Sequence, residues 1–256
     1  MIIMNQCVCT FKINGLKEVL VSEDTPEFET PNDDLIEKVQ IEQSDGVING
    51  MQFILKKGQA INKNILYKRA KNFLVNIYCN EKMVPLVSGF DLKLKSIYDP
   101  NFDHHGIVDI SESASFPEAL EVTRPYPIGD FKKMFALQSP RTNADEWYHL
   151  IFHTMKIDNI VTRYLMQYEL LLKLVAHNNK QSEVVKYIRK KYNPAQSFGK
   201  IGFQHIGKRK KIDSITYFRN MLAHNNDETL DVQDSNIRRM ALVLPLVLFF
   251  ALNTLK

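Results

Sequence analysis

I-T-Y-F-R-N-M-L-A-H-N-N, residues Ile215 to Asn226, is the stretch on which the reading of this chain turns. Ile215, Phe218, Leu222 and Ala223 recur on the helical i, i+3, i+7 and i+8 pattern, which predicts a helix with one packed face. Three polar residues interrupt that pattern: Arg219, Asn220 and His224. On a helix of 3.6 residues per turn, Asn220 and His224 lie about 40° apart around the axis, but Arg219 and His224 lie about 140° apart. A straight helix does not bring the guanidinium and the imidazole onto one face. Either the helix loosens near Ala223, or the long Arg219 side chain wraps round, or two copies of the stretch meet and a second chain completes the site. The plainer alternative makes both ordinary helix-surface residues, with Asn225 and Asn226 as the helix stop.

Downstream, M-A-L-V-L-P-L-V-L-F-F-A-L from Met240 to Leu252 is apolar all round and contains Pro245. It is shorter than the roughly 20 residues that span a bilayer, so it reads as the core helix of a bundle. Upstream, Ser182 to Tyr192 predicts a short basic helix, and Asn193 to Gly207 reads as a loop with three glycines and one proline. Lys208, Arg209, Lys210 and Lys211 then lead directly into the motif helix. Ten basic residues against Glu183 give Lys180 to Lys211 a local charge of +9. A charge run is most often a solvated face, but Lys190, Lys191, Lys208, Arg209, Lys210 and Lys211 are also suited to phosphates, since Lys and Arg supply most non-specific nucleic-acid affinity. Tyr187, Tyr192, Phe198 and Phe203 lie among the charges and are candidates for stacking on unpaired bases. Position and composition point to RNA.

Further upstream, Thr142 or Asn143 can cap a helix whose first turn holds Asp145 and Glu146. The apolar pattern continues from Trp147 to Val175, as one long helix or two broken near Asp158. Glu146, His149 and His153 fall at i, i+3 and i+7, but no further metal ligand stands out, and a polar helix face is the simpler account. Glu169 interrupts the apolar run from Tyr168 to Val175.

R-N-M-L-A-H, from Arg219 to His224, resembles the motif of the HEPN superfamily: an arginine, a polar residue that is often Asn, Asp or His, three more residues and a histidine. The resemblance covers roughly residues 143–256 and not the first half. It implies a small all-α helical bundle and, in many members, a metal-independent endoribonuclease whose cleft forms where two motifs face each other in a homodimer. It also implies an acidic residue on an early helix paired with the motif arginine, for which Glu169 is the candidate. HEPN toxins silenced by a partner nucleotidyltransferase carry a tyrosine two residues after the histidine, where this chain has Asn226. The resemblance implies a role in defence or a toxin-type stress response.

That chemistry suits the residues. RNA carries its own nucleophile in the 2′-hydroxyl, so cleavage needs protons moved and phosphate charge stabilised, with no cofactor and no metal. A histidine titrates near neutrality and serves as general base or acid, worth about 10² to 10⁴ in rate. Arg219 supplies a permanent planar donor fork for the phosphorane-like state, and Asn220 can orient either partner.

The first half reads differently. Residues 5–60 alternate as strands, with Asn14-Gly15 a plausible hairpin turn between Cys7–Ile13 and Leu16–Val21. Asn62 to Cys79 switches to helical period, with Ile61, Ile65, Leu66, Phe73, Leu74 and Ile77 on one face. Strands return at Phe90 to Ile97 and Gly106 to Ile110. Cys7 and Cys9 would share a strand face as a metal pair does, but without a second pair they read as buried thiols. Asp103, His104 and His105, with Asp99 and Asp109 near, read as a solvated loop, and a metal-dependent hydrolase built there is the weakest alternative. Ten acidic residues against Lys38 give Glu18 to Asp45 a charge of −9, suited to a basic protein partner or to screening the chain's own basic loop.

T-R-P-Y-P-I-G-D, from Thr123 to Asp130, predicts the domain boundary. The expected architecture is an α+β domain over 1–125 and an all-α HEPN-like bundle over 131–256. Three cysteines are too few for a disulfide frame and no secretory leader is evident, so the expected location is cytoplasmic, away from membranes. A catalytically inactive HEPN-like module that binds RNA or protein is the competing function.

Overall fold

The computed structural model describes residues 6–255 apart from 15–20, 23–25, 46, 80–88, 101–109, 116–126, 138–142, 156, 158, 177, 197–199, 207–209 and 225–234. For residues 14, 78, 89–91, 110–115, 155, 210, 224 and 235–239 it describes the backbone only. The chain divides into two compact units, Met1–Leu137 and Gln138–Lys256.

The first unit is built on a six-stranded sheet in the order β2-β3-β4-β1-β5-β6. Its strands are β1 (Val8–Asn14), β2 (Glu27–Glu29), β3 (Ile36–Ser44), β4 (Val47–Leu55), β5 (Gly89–Tyr98) and β6 (Ile110–Ser115), and every pairing is antiparallel. β1 is central, with β4 along one edge and β5 along the other. The expected hairpin from β1 into 16–21 falls on residues 15–20, outside the described residues. β3 buries Ile36, Val39 and Ile41. Their odd spacing follows from a register shift between Ile36 and Lys38, which moves the strand by one residue and keeps its apolar side chains on the core face. Asp33 starts this strand by accepting the Leu35 and Ile36 N–H groups through Oδ1, both at 2.9 Å. Gly50 on β4 lies where a Cβ would sit 2.8 Å from the Phe11 carbonyl oxygen, so only glycine fits without a shift.

Helix α1 (Lys63–Tyr78) is capped by Asn62, whose side chain accepts the Ile65 N–H. It buries Leu66, Ala70, Phe73, Leu74 and Ile77, whereas Ile65, expected on that face, is 45% exposed. Phe11 packs on Phe53 and Tyr67. Helix α2 (Ile128–Ala136) belongs to this unit: Phe135 meets Phe28, Phe53 and Phe73 edge-on. The buried Asn76 amide on α1 donates to the Met134 and Leu137 carbonyls at the end of α2, at 2.7 and 3.3 Å. The division therefore follows Leu137 and does not fall at 125–131; the proline-rich stretch precedes a helix of the first unit. Cys7, Cys9 and Cys79 are free and buried here. Burial pushes all three thiols up, Cys9 to about 12, so they read as core residues.

The second unit is mainly helical: α3 (Ala144–Met155), α4 (Ile160–Val175), α5 (Gln181–Tyr187), a π turn (Ile188–Tyr192), the short α6 (Asn193–Ala195), α7 (Ser214–His224) and α8 (Ser235–Thr254). The chain breaks between α3 and α4, where Asn159 caps α4 by accepting the Thr162 N–H at 2.9 Å. α8 presents Leu244, Val247, Leu248, Ala251 and Leu252 as a fully buried stripe at helical spacing, with Pro245 tolerated inside it. Among the described residues no helix is long and apolar enough to cross a membrane. The unit is not all-α. β7 (Phe203–Ile206) and β8 (Lys210–Asp213) form an antiparallel hairpin in place of the expected loop.

Candidate active site

The motif helix is set by its first turn. Asp213, the residue before α7, accepts the Thr216 N–H through Oδ1 at 2.8 Å and the Thr216 hydroxyl through Oδ2 at 2.7 Å. This is capping geometry in a fully buried place, since Asp213 is 0% exposed. Burial raises the Asp213 carboxyl above its ordinary value, and the Thr216 hydrogen bonds pull the other way. Two buried tyrosines of α4 hold the same turn. Tyr164 donates to the Ile215 carbonyl at 2.8 Å, and the Tyr168 hydroxyl lies 3.2 Å from Thr216 Oγ1. Burial pushes both phenols up, so they remain protonated donors.

One residue beyond Tyr168, Glu169 meets the motif arginine, with Arg219 Nη2 3.2 Å from Glu169 Oε1. The contact implied by the HEPN resemblance is present, at the rim of the unit: the two side chains are 24% and 49% exposed. The guanidinium also lies over the Tyr168 ring, 5.8 Å from its centroid. Arg219 Nε is shielded from solvent and has no acceptor among the described residues. A chain of contacts thus runs from Asp213 through Thr216 and Tyr168 to Arg219 and Glu169.

α7 remains α-helical from Ser214 through His224, so the helix does not loosen at Ala223. The roughly 140° between Arg219 and His224 therefore stands. Ile215, Phe218 and Leu222 are buried as expected, while Ala223 is exposed. Asn220 is partly covered on the same helix, and His224 is its last residue, with its side chain outside the described part.

The basic segment is fastened to α7 from behind. Asn193 clips Ile201 twice, donating to its carbonyl at 2.9 Å and accepting its N–H at 2.8 Å. The Gly202 carbonyl then accepts the Ser214 N–H at 2.9 Å. Arg189 on the π turn covers the Phe203 ring at 4.8 Å, joining the turn to β7. Arg189, Lys190, Lys191, Lys200 and Lys211 are all exposed. Lys208 and Arg209 lie outside the described residues, and Lys210 is described by backbone alone.

Tyr187 and Tyr192 are not available to bases. Both are buried, the first bonded to Thr254 Oγ1 at 3.2 Å and the second edge-on to Phe250 at 5.5 Å. Helical period, which places them on the core face of the segment, outweighs the surrounding charge. Phe198 lies outside the described residues, and Phe203 is partly covered beneath Arg189.

His149 and His153 come together on α3, with their Nε2 atoms 2.9 Å apart. Asp103, His104, His105 and Asp109 lie outside the described residues, while Asp99 hydrogen-bonds the Cys7 thiol. Among the described residues no group of three or more His, Cys, Asp or Glu side chains converges on a metal-sized space. Part of the acidic stretch is engaged internally: Asp33 and Asp34 meet Arg69 at 3.7 and 3.4 Å, and Glu27 meets Lys38 at 3.1 Å.

Hydrophobic periodicity does not mark Asp213, Thr216 and Tyr168 as site residues. For Asp213 and Thr216 the signal in the sequence is D-S-I-T before an apolar helix, a cap followed three residues on by the donor it accepts from. No family model, curated protein or solved structure matches this chain.

Proposed function

We propose that the protein is a metal-independent, HEPN-like endoribonuclease, working as a homodimer in the cytoplasm, in defence or a toxin-type stress response. The observation that carries this reading is the Glu169–Arg219 pair, which holds a guanidinium at the rim of the helical unit on the motif helix. With α7 helical throughout, positions 219 and 224 lie about 140° apart around its axis, so the reading requires the histidine of a second copy. One imidazole takes the proton of the 2′-hydroxyl, the other protonates the leaving 5′-oxygen, and Arg219 neutralises the phosphorane-like state. Asn220 orients the pair. Lys190, Lys191, Lys208, Arg209, Lys210 and Lys211 hold the RNA backbone.

Purified protein is incubated with end-labelled RNAs in EDTA, alongside His224→Ala and Arg219→Ala. The expected products carry 2′,3′-cyclic phosphate and 5′-hydroxyl ends, and each variant loses about 10² or more in rate. A His224→Ala protein that cleaves like the parent removes the assignment. The second reading is an inactive HEPN-like module that binds RNA or, through the acidic stretch of the first unit, a basic protein. It is favoured by the same ion pair, because Glu169 already occupies one end of Arg219 within a single chain. Salt-dependent RNA binding without cleavage is its signature.

A further inference from the structure

The exposed histidines of α3 have no part in the proposed reaction. His149 and His153 lie one helical turn apart, with Nε2 atoms separated by 2.9 Å and ring centroids by 4.2 Å, at an interplanar angle of 84°. The helix fixes this arrangement from below, since Tyr148, Ile151 and Phe152 are buried on its other side. As a hydrogen bond the contact needs one imidazole to donate and the other to accept.

The same separation matches a metal chelate. Imidazole nitrogens bind divalent ions of this size at about 2.05 Å, so two of them at adjacent, about 90° corners lie about 2.9 Å apart, whereas a tetrahedral angle requires about 3.3 Å. As it stands the pair is spaced for neighbouring corners of a tetragonal ion, and a tetrahedral ion such as zinc requires the two exposed rings to part by about 0.4 Å. We propose that His149 and His153 form a bidentate site for a divalent transition ion of tetragonal preference, copper(II) before nickel(II). Imidazole suits both ions, and affinity for nitrogen donors peaks at copper(II) in the first-row series. Glu146, one turn earlier, does not join the pair in a three-ligand group.

The test is a titration of the full chain with copper(II), and separately with nickel(II) and zinc(II), at neutral pH by calorimetry and electron paramagnetic resonance. His149→Ala, His153→Ala and the double variant are run beside the parent. Sites made by other histidines appear equally in the parent and the double variant, so the site is read as their difference. The expected result is one additional copper(II) equivalent in the parent, with a spectrum of two equatorial nitrogens. Each single variant weakens binding by about tenfold or more, because the second nitrogen no longer arrives at high effective concentration. His149→Gln, which keeps a polar side chain on the helix, must show the same loss with helicity unchanged. Equal binding by the parent and the double variant overturns the site. Zinc bound as tightly as copper(II) overturns the preference for copper(II). Neither outcome bears on RNA cleavage, which is measured in chelator.

Discussion

Replacing Asp213 tests the link between the buried cap and the motif helix. In Asp213→Ala the first turn of α7 loses its cap, worth about 1 kcal/mol. The Thr216 N–H and hydroxyl also lose their acceptor in a place that water does not reach, which adds about 1 to 3 kcal/mol. The expected loss is about 2 to 4 kcal/mol. Asp213→Asn keeps an oxygen for the Thr216 N–H, and its amide can donate to the Thr216 hydroxyl, which then turns to Tyr168. Its cost at neutral pH is about 1 kcal/mol or less.

The pH dependence separates the two effects. Burial raises the folded-state pKa of Asp213 above its unfolded value. The protonated carboxyl therefore favours folding: that contribution is fully present below the ordinary carboxylate range and is lost as pH rises through the raised value. Asparagine does not titrate, so its disadvantage against the parent must shrink as pH rises through that window. Urea unfolding is followed by the fluorescence of Trp147, the chain's one tryptophan, which lies in α3 of the same unit. Asp213→Ala within about 0.5 kcal/mol of the parent refutes the capping argument. A disadvantage of asparagine that grows with pH refutes the assignment of the raised pKa.

Gly50→Ala is expected to destabilise the first unit by about 1 to 3 kcal/mol in thermal melts, since the new Cβ meets the Phe11 backbone of the neighbouring strand. Replacing Lys190 and Lys191 by alanine should lower the slope of log RNA affinity against log salt by about 0.7 for each phosphate left without its cation. An unchanged slope removes them from the interface. Tyr192→Ala should cost about 3 to 5 kcal/mol in urea unfolding because it empties a buried aromatic contact, while Tyr192→Phe leaves RNA affinity as it was.

The fold is most readable in the sequence where local pattern and burial agree. The helical period from Lys63 to Tyr78, the apolar stripe of α8 and the lone glutamate within the apolar run of α4 all lead to the elements that are present. It is least readable where distant contacts decide. Gly202 and Ile201 are held by Ser214 and Asn193, so the stretch between them and α7 becomes a hairpin through clips that no periodicity announces. Likewise, Phe135 joins the first unit because three phenylalanines receive it, although proline stands just before its helix and glycine in its first turn. Arg219 is legible as a charged interruption, but the tyrosine beneath it and the cap behind it depend on α4 meeting α7.

The distribution of thiols and indole gives each half of the chain its own natural label. Cys7, Cys9 and Cys79 all belong to the first unit and Trp147 to the second. A closed first unit keeps its sulfurs unreactive, because a buried neutral thiol is a poor nucleophile. Alkylation kinetics followed by mass therefore time the opening of one half, while emission times the opening of the other. Running both on the same sample measures whether the halves unfold in concert or separately, without adding a dye.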